Sequence, residues 1–490
     1  MTGDYRELLG AFSAETALVA GALAVLGVDL SLGRSRPLES RRALAGAVGG
    51  IALLSALGLC LRTGAPGPLW AGAVMLDRLA LGTRIGVLTL AVLTLAIATG
   101  TSRTRSPAEA VAVLLLATTG FTLMAAAQQL LLGFLAIELA SLSLYVLAGG
   151  DRHRPESAEA ALKYFLFGGM AAAFLLFGFS LLFGLTGAID LPPVAAGLRL
   201  AGPTPLLGVA LVMVLVALGF KTAAAPFHFW APDVYEGAPP AATALIASAS
   251  KLAGFTFFAR LLWTGLGPAA GNGASLRGAA TWLPLVAAMS AASLLIGNFG
   301  ALAQTSLRRL LAYSAIAHSG ALLIGLMGMG ASGPGPLFYY AATYGLATAG
   351  AFGVSAVLER AGIGDRIDDL AGLNRRSPLL AGALLVFVLS LAGIPPLAGF
   401  FGKFAVFSSA LKANGMASPV GWLTLAAIFL SAVALYYYLL ILKCALVTAP
   451  AIGQESRIAV PAPAAAALSV AALLLMLLGV FPSLVLRLFE

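Results

Sequence analysis

Runs of about twenty apolar residues, the length an α-helix needs to cross the hydrocarbon core, recur about fourteen times in these 490 residues. They fall at roughly 8–30, 43–62, 72–98, 108–127, 129–148, 160–186, 205–229, 240–262, 280–299, 308–328, 334–358, 378–408, 420–446 and 461–486. Hydrophobic residues make up 60% of the chain and charged residues 10%, more apolar surface than a soluble domain can hide. In lipid every backbone polar group must be satisfied internally, which selects helices here. The sequence therefore predicts an all-α polytopic membrane protein. Its short loops leave no room for a soluble catalytic domain, so any chemistry takes place within the membrane. No signal peptide is expected, because MTGDYRE lacks a basic n-region and the first apolar run carries Glu15.

The net charge of +9 could suggest nucleic acid, but the basic residues gather in short loops between apolar segments, a topology signal. Loops after odd-numbered spans hold 15 Lys and Arg, among them Arg34, Arg36, Arg41, Arg42, Arg103, Arg152, Arg308 and Arg309. Loops after even-numbered spans hold 4: Arg62, Arg199, Arg277 and Lys412. This bias places the odd loops in the cytoplasm and both termini on the far side of a bacterial-type inner membrane. The partner expected from composition is the lipid bilayer, with no nucleic acid.

Redox and metal chemistry have no anchor in the sequence. The two cysteines, Cys60 and Cys444, are far apart, and His153, His228 and His318 have no His partner at helical spacing. No bound cofactor or metal is expected in this chain.

Lysine usage is more telling. Four of the six lysines, Lys163, Lys221, Lys251 and Lys403, stand inside apolar stretches, while arginine supplies most of the loop charge. Arginine stays protonated in any protein, whereas a buried ammonium can release its proton. Glu138 lies near the middle of the fifth span, where a carboxylate costs several kcal/mol unless it meets a polar partner or a hydrated path. Lys163, just inside the sixth span, is expected to pair with Glu138 across a short helical hairpin. Lys221 precedes Pro226, which removes a helix hydrogen bond and frees the Thr222 carbonyl. Lys403 follows Pro395 and Pro396, which free the carbonyls of Leu391 and Ala392. Lys251 and His318 lie mid-span, and an imidazole suits a proton relay. Broken helices carrying charge at membrane depth are a mark of transporters. Lys443, near the end of its span, is expected to snorkel to the surface.

The two breaks fall in spans seven and twelve. An odd offset of five reverses orientation, so the chain is expected to contain two inverted five-helix repeats. The predicted organisation is a three-helix N-terminal segment (1–107), a first repeat (108–262), a second repeat (280–447) and a C-terminal helix (448–490). On that register Lys221 matches Lys403 and Glu138 matches His318.

The segment FKTAAAPFHFWAPDVYEGAPP, from Phe220 to Pro240, resembles the seventh-helix region of the subunit N family of proton-pumping NADH:quinone oxidoreductase, respiratory complex I. YSAIAHSG around His318 and AGIPPLAGFFGKF around Lys403 match the same antiporter-like family in the same order, and the likeness runs over roughly 70–447. The resemblance implies a relay of Glu138, Lys163, Lys221, Lys251, His318 and Lys403 that moves protons. It also implies that the other membrane subunits of complex I are partners, and that NADH, FMN, Fe–S clusters and quinone belong to other subunits. MLDRLALGTR, with Arg78 and Arg84, is more charged than the family's usual aromatic-rich version.

Protons fit this inventory better than sodium, which wants several hard oxygen ligands in one place. Two charges about 7 Å apart at an effective dielectric near 20 interact by roughly 2.4 kcal/mol, enough for one relay site to bias its neighbour. Moving a charge through 100 mV costs about 2.3 kcal/mol, and nothing in the chain supplies that energy. A driven module is expected. The competing readings are a subunit of a multi-subunit cation/proton antiporter or membrane-bound hydrogenase, and a passive scaffold.

Overall fold

The computed structural model describes residues 10–33, 35–102, 104–151, 153–271, 281–450 and 456–489. The MTGDYRE start and Arg34, Arg103, Arg152 and Arg277 lie outside the described residues.

Among the described residues the chain is a helical bundle with one short β-hairpin. Helices α1 (Ser13–Val28, extended by a π-turn at Asp29–Gly33) and α2 (Leu38–Thr63) form an antiparallel pair. Strands β1 (Gly67–Leu69) and β2 (Val74–Leu76) pair in antiparallel register, Gly67 opposite Leu76. Asp77 then caps α3 (Arg78–Thr101) by accepting from the Ala80 N–H at 2.8 Å. There follow α4 (Pro107–Ala126), α5 (Leu130–Ala148), α6 (Pro155–Thr186), α7 (Leu191–Ala201), α8 (Pro205–Thr222), α9 (Trp230–Gly237), α10 (Pro240–Ala247) and α11 (Ala249–Arg260). The second half comprises α12 (Trp282–Leu302), α13 (Leu307–Ser332), α14 (Gly335–Arg360), α15 (Pro378–Ala392), α16 (Ala398–Asn414), α17 (Pro419–Leu446) and α18 (Ala462–Val480). Proline at the first turn of many of these helices loses nothing, because that N–H has no partner inside the helix.

Among the described residues 13 helices are long and apolar enough to cross a membrane. The remaining expected span, 378–408, is divided into α15 and α16 at its proline pair. Three spans form the interior: 240–265 is 100% buried across its most apolar window, and 307–332 and 335–360 are 94% buried. The outer spans α1, α2, α6 and α18 are only 33% buried there, leaving apolar faces for lipid or neighbouring chains. Inside, small residues let helices meet closely: a Cβ on Gly297 of α12 would lie 2.4 Å from the Ala317 nitrogen of α13.

Several features depart from the sequence reading. The seventh span stops at Thr222, and residues 223–229 are turns before α9. The eighth is interrupted at Ser248 (φ −112, ψ −81), where no proline or glycine announces a break. The connection after α6 contains α7, an amphipathic helix that buries Leu191, Val194, Ala195 and Leu198. Arg84 is completely buried. Its guanidinium forks onto Glu15 of α1, with Nη2 2.6 Å from Oε2 and Nε 3.1 Å from Oε1, and Nη2 also donates to the Ala11 carbonyl. Glu15, the acid carried by the first apolar run, is thus the counter-ion of the unusually charged MLDRLALGTR segment. Asp77 similarly takes Arg260 of α11 at 2.6 and 3.1 Å.

Candidate functional site

Both broken helices end alike. α8 finishes at Thr222 with Ala223 left-handed (φ 54), and α15 finishes at Ala392 with Gly393 left-handed (φ 84). In each case a proline, Pro226 or Pro396, stands three residues beyond the left-handed residue. A proline cannot donate a backbone hydrogen bond, so carbonyls of the last turn are left for side chains.

Those carbonyls are used. The Thr222 carbonyl, predicted to be freed by Pro226, accepts from the Ser319 hydroxyl of α13 at 2.6 Å. The Ala392 carbonyl, predicted to be freed by the proline pair, accepts from Lys403 Nζ at 3.0 Å. Lys403 lies on α16, beyond the break, and folds back across Gly393. A Cβ there would sit 3.3 Å from the ammonium. Lys221, in contrast, stands just before its break. Its Nζ donates to Ser141 Oγ of α5 at 3.1 Å and lies 5.8 Å from the Phe121 ring centre. Its stem passes close to Gly254 of α11, where a Cβ would lie 3.5 Å from Lys221 Cγ, an ordinary van der Waals contact.

Glu138 is half-buried and shares a cavity of about 10 Å³ with Ser141, Tyr145, Gly168 and Lys221. That is room for about one water. The expected Glu138–Lys163 pair does not form. Lys163 Nζ lies 2.5 Å from Asp233 Oδ2 of α9 and 2.7 Å from Glu159 Oε1. The reason is hairpin register. The residues of α6 at the level of Glu138 are Gly168 and Ala171, five to eight positions past Lys163, which is roughly 8–12 Å along a helix. Lys221 is the ammonium that shares Glu138's cavity.

Lys251, 2% exposed, donates to the Ala315 carbonyl at 2.6 Å and to Ser319 Oγ at 2.8 Å, and lies 5.0 Å from the Tyr344 ring centre. Ser319 therefore joins Lys251 to the backbone of the first break. His318, its neighbour in sequence, places Nδ1 2.7 Å from the Tyr340 hydroxyl and Nε2 3.1 Å from that of Tyr438, which also meets Ser314 Oγ. The Tyr340 ring packs on Gly402, where a Cβ would be 2.7 Å from Cδ2, and Lys403 is the next residue. Glu138, Lys221, Ser319, Lys251, His318, Tyr340 and Lys403 thus form a string of polar groups from one break to the other, linked by the Glu138–Lys221 cavity, the Thr222–Ser319–Lys251 and His318–Tyr340 hydrogen bonds, and the packing of Tyr340 beside Lys403. Sequence reasoning missed Ser319, Tyr340, Tyr344 and Tyr438.

On the arginine-rich face lies a second polar region, a cavity of about 500 Å³ at the ends of α6, α9 and α13. Asp233 binds both Lys163 and Arg309 (2.8 Å), and Arg309 also reaches Glu236 at 2.9 Å. Arg308 pairs with Asp365 and Glu359. Burial alone would push the Asp233 carboxyl up, but the Lys163 and Arg309 bonds outweigh it and hold the group below the usual carboxylate range. At Asp365 burial prevails and raises it.

Residues 127–434, which contain both breaks and the whole string, match the family model described as NADH:quinone oxidoreductase/Mrp antiporter, TM. The chain is 46% identical to NADH-quinone oxidoreductase subunit N 2 of Acidobacterium capsulatum over 99% of both chains. It superposes on a chain of respiratory complex I from Thermus thermophilus with a TM-score of 0.80 at 34% identity, covering 97% of this chain and 98% of that one. A chain of the Mrp complex from Dietzia sp. shares the fold at TM-score 0.82 but only 22% identity, covering 98% and 96%. With its breaks, buried lysines and full-length likeness in agreement, the chain belongs to the NADH-quinone oxidoreductase subunit N family of antiporter-like membrane proteins.

Proposed function

We propose that this chain is the proton-translocating membrane subunit N of an NADH-quinone oxidoreductase, seated among the other membrane subunits of that complex. Its relay is formed by Glu138, Lys221, Lys251, His318 and Lys403, with Lys163 governing access from the arginine-rich face. The single observation that carries the relay is the buried string itself. Within it Lys221 is bonded to the Ser141 hydroxyl, Lys251 to the Ser319 hydroxyl, Ser319 and Lys403 each to a carbonyl freed by a helix break, and His318 to the Tyr340 hydroxyl, in a bundle whose central spans are enclosed by the rest of the chain. NADH, FMN, Fe–S clusters and quinone sit on other subunits, and quinone reduction there supplies the energy. The membrane is the bacterial inner membrane, with the arginine-rich loops in the cytoplasm and both termini outside. The two breaks, each a left-handed residue followed three positions on by proline, support two inverted five-helix repeats. The divisions at 1–107, 108–262, 280–447 and 448–490 follow from them.

Lys221→Arg is the test. Arginine keeps the charge near Glu138 but does not release its proton. In complex of verified assembly, NADH oxidation should persist while protons moved per electron fall. Fully coupled activity in that variant would rule out a protonation cycle at Lys221 and favour a scaffold that uses buried charge only for packing.

A further inference from the structure

The polar cavity on the arginine-rich face and the small cavity at Glu138 and Lys221 are stacked along one stripe of α6. Ala160 lines the outer cavity, and Gly168 and Ala171 line the inner one. Between them, at the same helical spacing, stands Tyr164, 2% exposed. From Ala160 to Gly168 is about 12 Å of helix rise. The space at the level of Tyr164 is filled by rings. Tyr164 stacks on Trp230 of α9 with centroids 4.4 Å apart and planes 9° from parallel. Tyr145 of α5 meets Tyr164 edge-on at 4.7 Å, and Phe220 of α8 lies 5.1 Å from Trp230. Trp230 is pinned by its indole N–H, which donates to the Phe220 carbonyl at 3.1 Å. Tyr145 and Phe220 form part of the inner cavity's wall.

We propose that these four rings are an aromatic barrier that separates the outer, solvated cavity from the Glu138–Lys221 cavity, and that the Lys163–Asp233 ion pair holds it shut. The pair and the stack cross the same α6–α9 contact. Lys163 adjoins Tyr164 in sequence, and Asp233 is three residues, nearly one helical turn, from Trp230. The side chains of Lys163 and Asp233 are 35% and 31% exposed, whereas the four rings beneath them are at most 7% exposed. Breaking the pair releases α9 from α6 and lets the rings part. Protons then pass from the outer cavity to the inner one through transient water. Lys163 acts as a positioning residue at this barrier, on Trp230 and Tyr164, and never binds Glu138. The inference rests on the relay reading for its purpose, though the barrier itself is a property of the static bundle.

Cysteine accessibility tests it in the assembled complex. The two native cysteines are buried, Cys60 at 0% and Cys444 at 9% exposure, so background is low. Thr305→Cys reports the outer cavity and Ala217→Cys the inner one. The probe is 2-aminoethyl methanethiosulfonate, a small cation that travels through water, and the readout is the mass of this subunit. The Thr305→Cys thiol should react readily from the arginine-rich face and the Ala217→Cys thiol slowly. Adding Trp230→Leu should speed the latter at least about tenfold, equal to about 1.4 kcal/mol. Asp233→Asn should speed it in the same direction and leave the Thr305→Cys rate unchanged. Equal rates for the two thiols with all four rings in place would overturn the barrier, and that comparison needs no ring variant to fold. A Trp230→Leu complex that assembles yet keeps the inner thiol slow would overturn it too. Full coupling in Lys221→Arg would remove the relay while leaving these rates standing, so the two readings fail separately.

Discussion

Ser319→Ala deletes one hydroxyl and cuts the string at its centre. The Ser319 Oγ accepts from Lys251 Nζ at 2.8 Å and donates to the Thr222 carbonyl at 2.6 Å, with the Ala315 carbonyl 3.0 Å away as an alternative acceptor. Lys251 would keep only the Ala315 carbonyl of its two acceptors. A hydrogen bond from a charged group is worth about 1.5–3 kcal/mol, so protonated Lys251 would be disfavoured by roughly 10- to 100-fold relative to the neutral amine. The Thr222 carbonyl would be orphaned as well, at about 1–3 kcal/mol, because Pro226 offers it no N–H. The assay is proton uptake per electron in proteoliposomes containing the whole complex, alongside NADH:quinone turnover. Pumping per electron should fall and turnover at saturating quinone should drop with it, while Ser319→Thr, which retains a hydroxyl, should recover part of both. If Ser319→Ala assembles normally and pumps at the full ratio, the hydroxyl carries no proton traffic and the string is only packing.

Glu138→Gln should also lower pumping per electron, since it removes the only carboxylate lining the Lys221 cavity; unchanged stoichiometry in assembled complex would move the acid's role elsewhere. Asp233→Asn should lower the melting temperature of the complex near neutral pH. The folded Asp233 carboxyl titrates below its unfolded value, so its stabilisation is fully present above the unfolded value and vanishes as pH falls through the folded one. The gap between Asp233→Asn and the unsubstituted chain should therefore close only below the ordinary carboxylate range, and a gap that closed near neutral pH would contradict the assignment. Arg84→Ala strands Glu15 without its counter-ion and should cost about 3–5 kcal/mol in stability, whereas removing both charges with apolar residues of similar size should restore most of it. Thermal unfolding of the two variants side by side decides that point.

The breaks, the interior lysines and the family were legible because each leaves a local mark: a proline in an apolar run, or a charge where none should stand. Partners were less legible. Lys163 finds Asp233 seventy residues away, and only the register of the α5–α6 hairpin decides against Glu138. Glu15 and Arg84 read as two unrelated charges because neither names the other in sequence. The ring hydroxyls of Tyr340 and Tyr438 were hidden for a different reason: a tyrosine in a span reads as core or as an interfacial anchor until its neighbours are known. Ser248 breaks its helix without proline or glycine, so no composition rule could place that kink.

The completely enclosed span that carries Lys251 has the lowest mean hydropathy of the thirteen. What protects it in the finished bundle is absent while the chain is being made. A lysine near the centre of an inserting helix costs about 2.5–3.5 kcal/mol on the biological insertion scale. Residues 240–265 should therefore partition poorly on their own as they leave the translocon, and should wait beside it until α13 delivers the Ala315 carbonyl and the Ser319 hydroxyl. Biosynthesis would then be checked at the same spot as transport: a ribosome-bound chain stopped before α13 should leave this one span uncommitted, and a chain carried beyond it should not.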